Sequence, residues 1–218
     1  MNFNTIFFDF DYTLVDSSLG VIECTNYALE KLGFQKPSTD SVRKTIGLSL
    51  ADTYKQLVRN NSNHTKEEFI KFFVERANSV MNDLTVMFEY TGETVEMLKK
   101  CGFKLGIVSS KFRYRIESFL EKENLLDKID VIIGGEDVDK PKPNPEGIFS
   151  AIRKIGVNSK NVLFVGDSTV DAQTAMRANV AFIAVLSGVT SKSAFSNYTV
   201  LRYLKNIYDL RKCDLIGQ

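Results

Sequence analysis

The chain has 218 residues, of which 44% are hydrophobic and 25% charged, with 28 Lys and Arg against 27 Asp and Glu. Its length suits one well-buried core, or one core with a small accessory domain. The near-neutral charge argues against binding to nucleic acid or to an acidic membrane. The N-terminus has no signal-peptide pattern and no apolar run is long enough to span a membrane, so a cytoplasmic location is expected.

Short apolar strands and helices alternate over most of the chain. The predicted strands are Thr5–Phe8, Lys104–Val108, Asp130–Ile133, Val162–Val165 and Ala181–Leu186, and the predicted helices are Gly92–Lys100, Tyr114–Glu123, Glu146–Ile155 and Val170–Ala178. Runs of this length, rich in β-branched and aromatic residues, are typical of buried parallel strands. The expected fold is therefore α/β, a doubly wound parallel sheet forming a Rossmann-like core.

The stretch from Ser17 to Met81 interrupts this alternation. It contains no good strand and is typical of several amphipathic helices, one of which is predicted to begin at Thr65 in a capping-box sequence. We therefore predict two domains. Residues 1–15 and 82–218 form the catalytic core, and residues 16–81 form a helical cap inserted after the first strand.

Polar residues follow the predicted strands. They are Asp9 and Asp11 after the first strand, Ser109 and Ser110 after the second, Lys142 in a proline-rich turn after the third, and Asp167 and Asp171 after the fourth. Because ligands of parallel α/β sheets bind outside the carboxyl ends of the strands, these side chains should converge on one crevice. Each one alone could be a turn or helix-capping residue, so the prediction depends on their convergence.

Such a group of carboxylates, hydroxyls and one ammonium suits phosphate chemistry. Carboxylates this close would repel one another, and Mg²⁺, which prefers oxygen ligands, relieves that repulsion. The metal and Lys142 would also neutralise an anionic phosphate under attack by a carboxylate. Asp9 and Asp11 lie two residues apart and share one face of an extended segment, so one could attack while the other carries the proton.

These residues resemble the four ordered motifs of the haloacid dehalogenase-like hydrolases. The matching segments are Asp9-Phe10-Asp11-Tyr12-Thr13, Ser109, Lys142-Pro143-Asn144-Pro145 and Gly166-Asp167-Ser168-Thr169-Val170-Asp171. Within that superfamily the chain is similar to the branch that contains phosphoglycolate phosphatases, pyrophosphatases of the same fold and β-phosphoglucomutase. Many members have Gly where this chain has Tyr12, whose larger ring restricts the loop.

The resemblance implies a phosphatase acting on a small phosphorylated metabolite or on pyrophosphate. Asp9 is then the nucleophile that forms an aspartyl-phosphate, and Asp11 is the general acid and afterwards the general base. Ser109, Ser110 and Lys142 are expected to bind the phosphoryl group.

The resemblance also implies a Mg²⁺ site. Its ligands would be the carboxylate of Asp9, the backbone carbonyl of Asp11 and Asp167. Asp171 would orient a metal-bound water or Lys142. Nucleic-acid and membrane partners are not expected, and either a monomer or a dimer is compatible with the sequence.

Several alternatives stay open at this point. Lys140 begins a second Lys-Pro-x-Pro match and competes with Lys142, while Lys111 could contact an anionic substrate or be solvated. A sugar phosphomutase would use the same phosphorylated aspartate, although Thr13 disfavours it, since comparable mutases have an aliphatic residue there. A phospho-accepting signalling domain would normally be shorter, and a dehalogenase would leave the metal-binding carboxylates without a role.

Overall fold

A computed structural model of the protein describes residues 3–58 and 63–212. The strands are β1 Thr5–Phe8, β2 Val15–Asp16, β3 Val86–Met87, β4 Lys104–Val108, β5 Val131–Ile133, β6 Val162–Gly166, β7 Ala181–Val185 and β8 Arg202–Leu204. The α-helices are α1 Ser18–Lys31, α2 Thr39–Arg43, α3 Leu50–Leu57, α4 Asn63–Val80, α5 Thr91–Lys100, α6 Arg113–Lys122, α7 Glu146–Ile155 and α8 Thr169–Ala178. Short 3₁₀ turns join several of them.

Within the described residues, six strands form one parallel sheet in the order β5-β4-β1-β6-β7-β8. Strand β1 lies at its centre, paired with β4 on one side and β6 on the other. The strand order changes direction at β1, so a crevice opens at its carboxyl end, where open α/β sheets bind their ligands. The α/β doubly wound fold expected from the sequence is confirmed.

Helices cover both faces of the sheet. Ile6 and Phe8 of β1 pack with apolar residues of α5 and α6, whereas Phe7 packs on the other face with residues of α7 and α8. Because side chains alternate between the two faces of a strand, a continuous apolar run such as Thr5–Phe8 fills both layers. This burial fixes the position of the residues that follow β1.

Helices α1 to α4 form a separate layer with an apolar cluster of its own. Leu29, Tyr54, Phe69 and Phe73 are among its buried members. The chain leaves and re-enters the core through β2 and β3, which pair with each other in antiparallel fashion. Helix α4 begins at Asn63, two residues before the predicted start at Thr65.

None of the helices in the described part of the chain is long and apolar enough to cross a membrane.

Candidate active site

The segment after β1 carries the first two carboxylates. The backbone N–H of Asp9 donates to the carbonyl of Val165 at 2.9 Å, which extends the pairing of β1 with β6 by one residue. The chain then turns sharply, and Tyr12 adopts a left-handed conformation with φ of 61°. A bulky residue rarely adopts this conformation. The positive φ explains why glycine suits this position in similar sequences.

Asp9, Asp167 and Asp171 meet in a buried cluster in which each offers a carboxylate oxygen within 4.8 Å of the others. Lys142 reaches the same cluster, with its Nζ 2.9 Å from Asp9 Oδ1 and 2.7 Å from Asp171 Oδ1. All four side chains are almost completely buried. Lys140, in contrast, is exposed, and its backbone N–H donates to the carboxylate of Glu146.

Asp9 pairs with the ammonium of Lys142. Although Lys142 lies at ion-pair distance, neither carboxylate oxygen of Asp9 has a well-oriented hydrogen-bond donor among the described residues. Buried carboxylate oxygens are normally hydrogen-bonded, so two such atoms in one side chain indicate that another positive group belongs there. A metal ion would fit this donor set, because it is made of hard carboxylate oxygens.

Burial shifts the pKa values in this cluster strongly. Burial raises the pKa of Asp9 to about 7, with the neighbouring carboxylates of Asp171 and Asp11 adding to the shift and Lys142 opposing it. The pKa of Asp167 is also raised, first by burial and then by the charges of Asp171 and Asp9. Burial opposes the charge of Lys142, yet Asp171 and Asp9 together hold its pKa above the ordinary value. Without a further cation, burial and mutual repulsion oppose the ionisation of Asp9 and Asp167.

Asp11 is buried beside this cluster and has partners of its own. Its Oδ1 accepts hydrogen bonds from Ser17 Oγ at 2.6 Å and from Lys111 Nζ at 3.0 Å. The side chain of Lys111 is only 7% exposed, so the interpretation of this residue as a solvated lysine is wrong. These bonds orient the Asp11 carboxylate at the edge of the crevice.

The two serines after β4 have different environments. Ser109 is buried, and its Oγ accepts the backbone N–H of Lys111 at 3.3 Å. Ser110 donates its hydroxyl to the carbonyl of Gly47 at 2.8 Å, which links the core to the loop between α2 and α3. Ser109 lines a small pocket together with Lys142, while the hydroxyl of Ser110 faces the helical layer.

The carboxylate of Asp171 has two roles, as a helix-capping group and as a partner of Lys142. Its Oδ2 accepts bonds from the backbone N–H and hydroxyl of Ser168, and Ser168 Oγ accepts the N–H of Asp171, which caps α8. Its Oδ1 meanwhile binds Lys142. The same carboxylate thus fixes a helix end and holds the buried lysine.

Sequence reasoning missed the loop after β7. Ser187 donates its hydroxyl to the carbonyl of Tyr12 at 2.6 Å. A methyl group added at Gly188 would lie 1.9 Å from Asp167 Oδ2, so only glycine lets the loop pass this close to the carboxylate. The signal was present, because the loop follows a predicted strand like the other site residues.

A cavity of about 60 Å³ separates the strand ends from the helical layer. Asp11, Lys111 and Arg115 line it from the core, and the loop Thr45–Leu48 and Phe73 line it from the helical layer. Since a site needs roughly 10–15 Å³ to hold one water molecule, only a small molecule fits here.

The sequence is similar to those of known proteins. A sequence model described as haloacid dehalogenase-like hydrolase matches residues 6–185. The chain is 30% identical to the pyrophosphatase PpaX of Bacillus cereus, over 85% of this chain and 84% of that protein. It is also 30% identical to the phosphoglycolate phosphatase of Pseudomonas syringae pv. tomato, over 84% of this chain and 69% of that protein.

Solved structures are similar over almost the full length. The crystal structure of a haloacid dehalogenase-like hydrolase from Bacteroides fragilis superposes with a TM-score of 0.93 at 39% sequence identity. The match covers 96% of this chain and 100% of that one.

Proposed function

Because the chain belongs to the haloacid dehalogenase-like hydrolases, we propose that it is a Mg²⁺-dependent phosphatase that hydrolyses a small phosphomonoester or pyrophosphate through an aspartyl-phosphate on Asp9. The observation that carries this proposal is the buried cluster of Asp9, Asp167 and Asp171 with Lys142. Relatives in the same family are named as phosphoglycolate phosphatase and as pyrophosphatase, which supports a small phosphate ester or phosphoanhydride as substrate.

Asp9 attacks the phosphorus atom with one carboxylate oxygen, and the bond from phosphorus to the leaving oxygen breaks. Asp11 gives a proton to that oxygen, so the alcohol or phosphate leaves without a build-up of charge. A water molecule then attacks the phosphorus of the aspartyl-phosphate and gives its proton to Asp11. The phosphorus–Asp9 bond breaks, inorganic phosphate leaves, and both carboxylates return to their starting states.

Lys142 and Ser109 bind the non-bridging oxygens of the transferring group. The ammonium of Lys142 already lies 2.9 Å from Asp9, so it is close to the phosphorus position from the start. Ser110 belongs to the same phosphate-binding set, and its bond to Gly47 also connects that set with the helical layer. Positioned donors of this kind stabilise charge that develops in the transition state.

The proposed metal ligands are the carboxylates of Asp9 and Asp167 and the backbone carbonyl of Asp11. Asp171 keeps Lys142 in place. When bound, Mg²⁺ supplies positive charge that lets Asp9 stay ionised next to an anionic phosphate. The Asp9 oxygens suit this role, since neither has a well-oriented hydrogen-bond donor among the residues that the structure describes.

We also propose that residues 16–81 act as a cap over a core formed by residues 1–15 and 82–218. The separate apolar cluster of the helical layer and the paired strands β2 and β3 at its two junctions support this division. A cap over the strand ends would keep bulk water from the aspartyl-phosphate.

The test is an assay of the purified protein against 2-phosphoglycolate, pyrophosphate and a panel of other small phosphomonoesters, with and without Mg²⁺. We expect phosphate release that EDTA stops and Mg²⁺ restores. Ca²⁺ should inhibit, because its larger and looser coordination misplaces Asp9. Release that continues unchanged in EDTA would remove the metal from the proposal.

The same assay separates the rival functions. Isomerisation of a sugar phosphate that depends on a sugar bisphosphate would instead identify a phosphomutase. A stable phosphoprotein without turnover would identify a phospho-accepting signalling domain. The cytoplasmic location and the monomeric or dimeric state stay predictions.

A second prediction concerns the loop after β7. The Gly188→Ala substitution should raise the Mg²⁺ concentration needed for half-maximal activity by about tenfold or more, because the new methyl group displaces Asp167. Substitution of the exposed neighbour, Val189→Ala, is the matched control and should leave this concentration unchanged. An unchanged Mg²⁺ requirement in Gly188→Ala would argue against Asp167 as a ligand.

A further inference from the structure

Arg115 on α6 is a buried cation. Arg115 is only 6% exposed, and no carboxylate among the described residues forms an ion pair with it. Arg113, two residues earlier on the same helix, differs in both respects. Its side chain is 41% exposed and pairs with Glu117 and Asp137.

Neutral groups hold the Arg115 guanidinium in place. Its Nη2 donates to the carbonyl of Val74 at 3.1 Å and to Asn78 Oδ1 at 2.9 Å, both on α4. The rings of Phe112 and Tyr114 lie 5.4 and 5.2 Å from the guanidinium carbon, at cation–π distance. The buried Nε–H nevertheless has no acceptor among the described residues.

A guanidinium does not lose its proton in a protein, so Arg115 stays charged. A buried charge without a counter-ion is costly, and neutral acceptors and ring faces offset only part of that cost. An anion that binds beside Arg115 would offset the rest of this free-energy cost.

Arg115 lines the cavity that Asp11 also lines. The other cation of that lining, Lys111, already has a partner, because its ammonium binds Asp11. Arg115 is therefore the cation of this lining that is available to a ligand. The cavity volume of about 60 Å³ restricts that ligand to a small molecule.

We propose that Arg115 is a specificity-determining residue that binds a second anionic group of the substrate, separate from the phosphoryl group that is transferred. The substrate class is then a small phosphate compound with a carboxylate or a second phosphate at its far end. A guanidinium can hold either group through two parallel N–H bonds. This inference rests on the proposed phosphatase function and specifies its substrate.

The test compares substrates that differ at the far end alone. In 2-phosphoglycolate this end is a carboxylate, in pyrophosphate a second phosphate, and in 2-hydroxyethyl phosphate a neutral hydroxyl. Wild-type protein should prefer one of the two anionic compounds to the neutral one by at least about tenfold in kcat/KM. The Arg115→Gln substitution should lower kcat/KM for the preferred compound by about 100-fold and change that for 2-hydroxyethyl phosphate by less than about threefold. The Arg115→Lys substitution should restore part of the preference.

Two controls separate recognition from a structural role of Arg115. Asn78→Ala removes an acceptor that ties Arg115 to α4 but keeps the cation, so the preference for the anionic compound should persist. Arg113→Gln removes a half-exposed cation of the same helix that already pairs with carboxylates, and it should have no effect on the preference. Equal losses for all three compounds in Arg115→Gln and Asn78→Ala would show that Arg115 only ties α6 to α4, and would overturn the inference.

Binding gives an answer that does not depend on turnover. Calorimetric titration of wild-type and Arg115→Gln protein with glycolate plus inorganic phosphate, and with pyrophosphate, reports the far-end interaction directly. Weaker binding of either ligand set by Arg115→Gln supports the inference even if no substrate is hydrolysed, which would refute only the phosphatase proposal. Equal binding by the two proteins, with hydrolysis intact, refutes only the inference.

Discussion

The Asp9→Asn substitution is expected to abolish phosphate release and, in metal-free protein, to raise the melting temperature. Activity is lost because the amide of the variant cannot attack phosphorus. Stability rises because the substitution removes one of three buried carboxylates that face a single lysine. Opposite effects on activity and stability are the signature of a residue kept for chemistry.

The pH dependence of this stability difference has a definite sign. The pKa of Asp9 is about 7 in the folded protein, whereas an unfolded aspartate has a pKa near 3.9. Between these values the folded state holds a proton that the unfolded state has released, so folding is favoured at low pH and this contribution is lost as the pH rises through about 7. The Asp9→Asn variant does not lose stability in this way. The amount by which its melting temperature exceeds that of the wild type should therefore grow from pH 4 to pH 8.

Thermal unfolding of both proteins in EDTA, at several pH values in that range, measures the effect. In a chain of this size, about 1 kcal/mol corresponds to roughly 2–4 °C, so a difference of a few degrees is detectable. With Mg²⁺ the wild type should have the higher melting temperature. The ion stabilises a folded protein that binds it, and the variant lacks one of the proposed ligands. Appreciable residual activity in Asp9→Asn would remove Asp9 as the nucleophile, and a lower melting temperature in EDTA at pH 8 would contradict the charge argument.

The sheet could be predicted because its strands carry strong local patterns. Thr5–Phe8 and Lys104–Val108 were predicted with the bounds that the structure has, since both are apolar runs closed by polar residues. The edge strand β8 was missed, because Arg202–Leu204 is short and only half-buried and has no such pattern. Strands β2 and β3 have two residues each, and pairing between distant parts of the chain, rather than local sequence, creates them.

The site was predictable as far as strand ends determine it. Asp9 and Asp167 follow strands that lie side by side, so their approach is a consequence of sheet topology. The environments of Lys111 and Arg115 could not be predicted, because they depend on which side chains the β4–α6 loop and α6 meet in the folded protein. The sequence shows a charge but not its partner.

The two lysines of the proline-rich turn show the same limit, since both begin a Lys-Pro-x-Pro match. Burial separates them. Lys142 is 6% exposed and contacts two carboxylates, whereas the side chain of Lys140 is exposed. A pair of otherwise equal substitutions therefore tests which lysine serves the site.

The Lys142→Met substitution is expected to cause large losses of both stability and activity. It leaves Asp9, Asp167 and Asp171 without the cation that compensates them, and removing one partner of a buried ion pair costs about 3–5 kcal/mol. Activity should fall by at least about 100-fold even where the variant is folded, because a positioned donor to the transferring phosphoryl group is lost. Circular dichroism, thermal unfolding and steady-state kinetics at saturating Mg²⁺ measure these effects.

The Lys140→Met substitution is the matched control, because it removes the same charge two residues earlier in the same turn. It should change the free energy of unfolding by no more than about 0.5 kcal/mol, as surface substitutions usually do, and leave kcat near the wild-type value. Mg²⁺ should narrow the stability deficit of Lys142→Met, since the ion supplies part of the missing positive charge to the same carboxylates, and should leave Lys140→Met unaffected relative to wild type. If Lys140→Met were the inactive variant, the phosphate-binding lysine would have to be reassigned, and the contact of Lys142 with Asp171 would be structural alone.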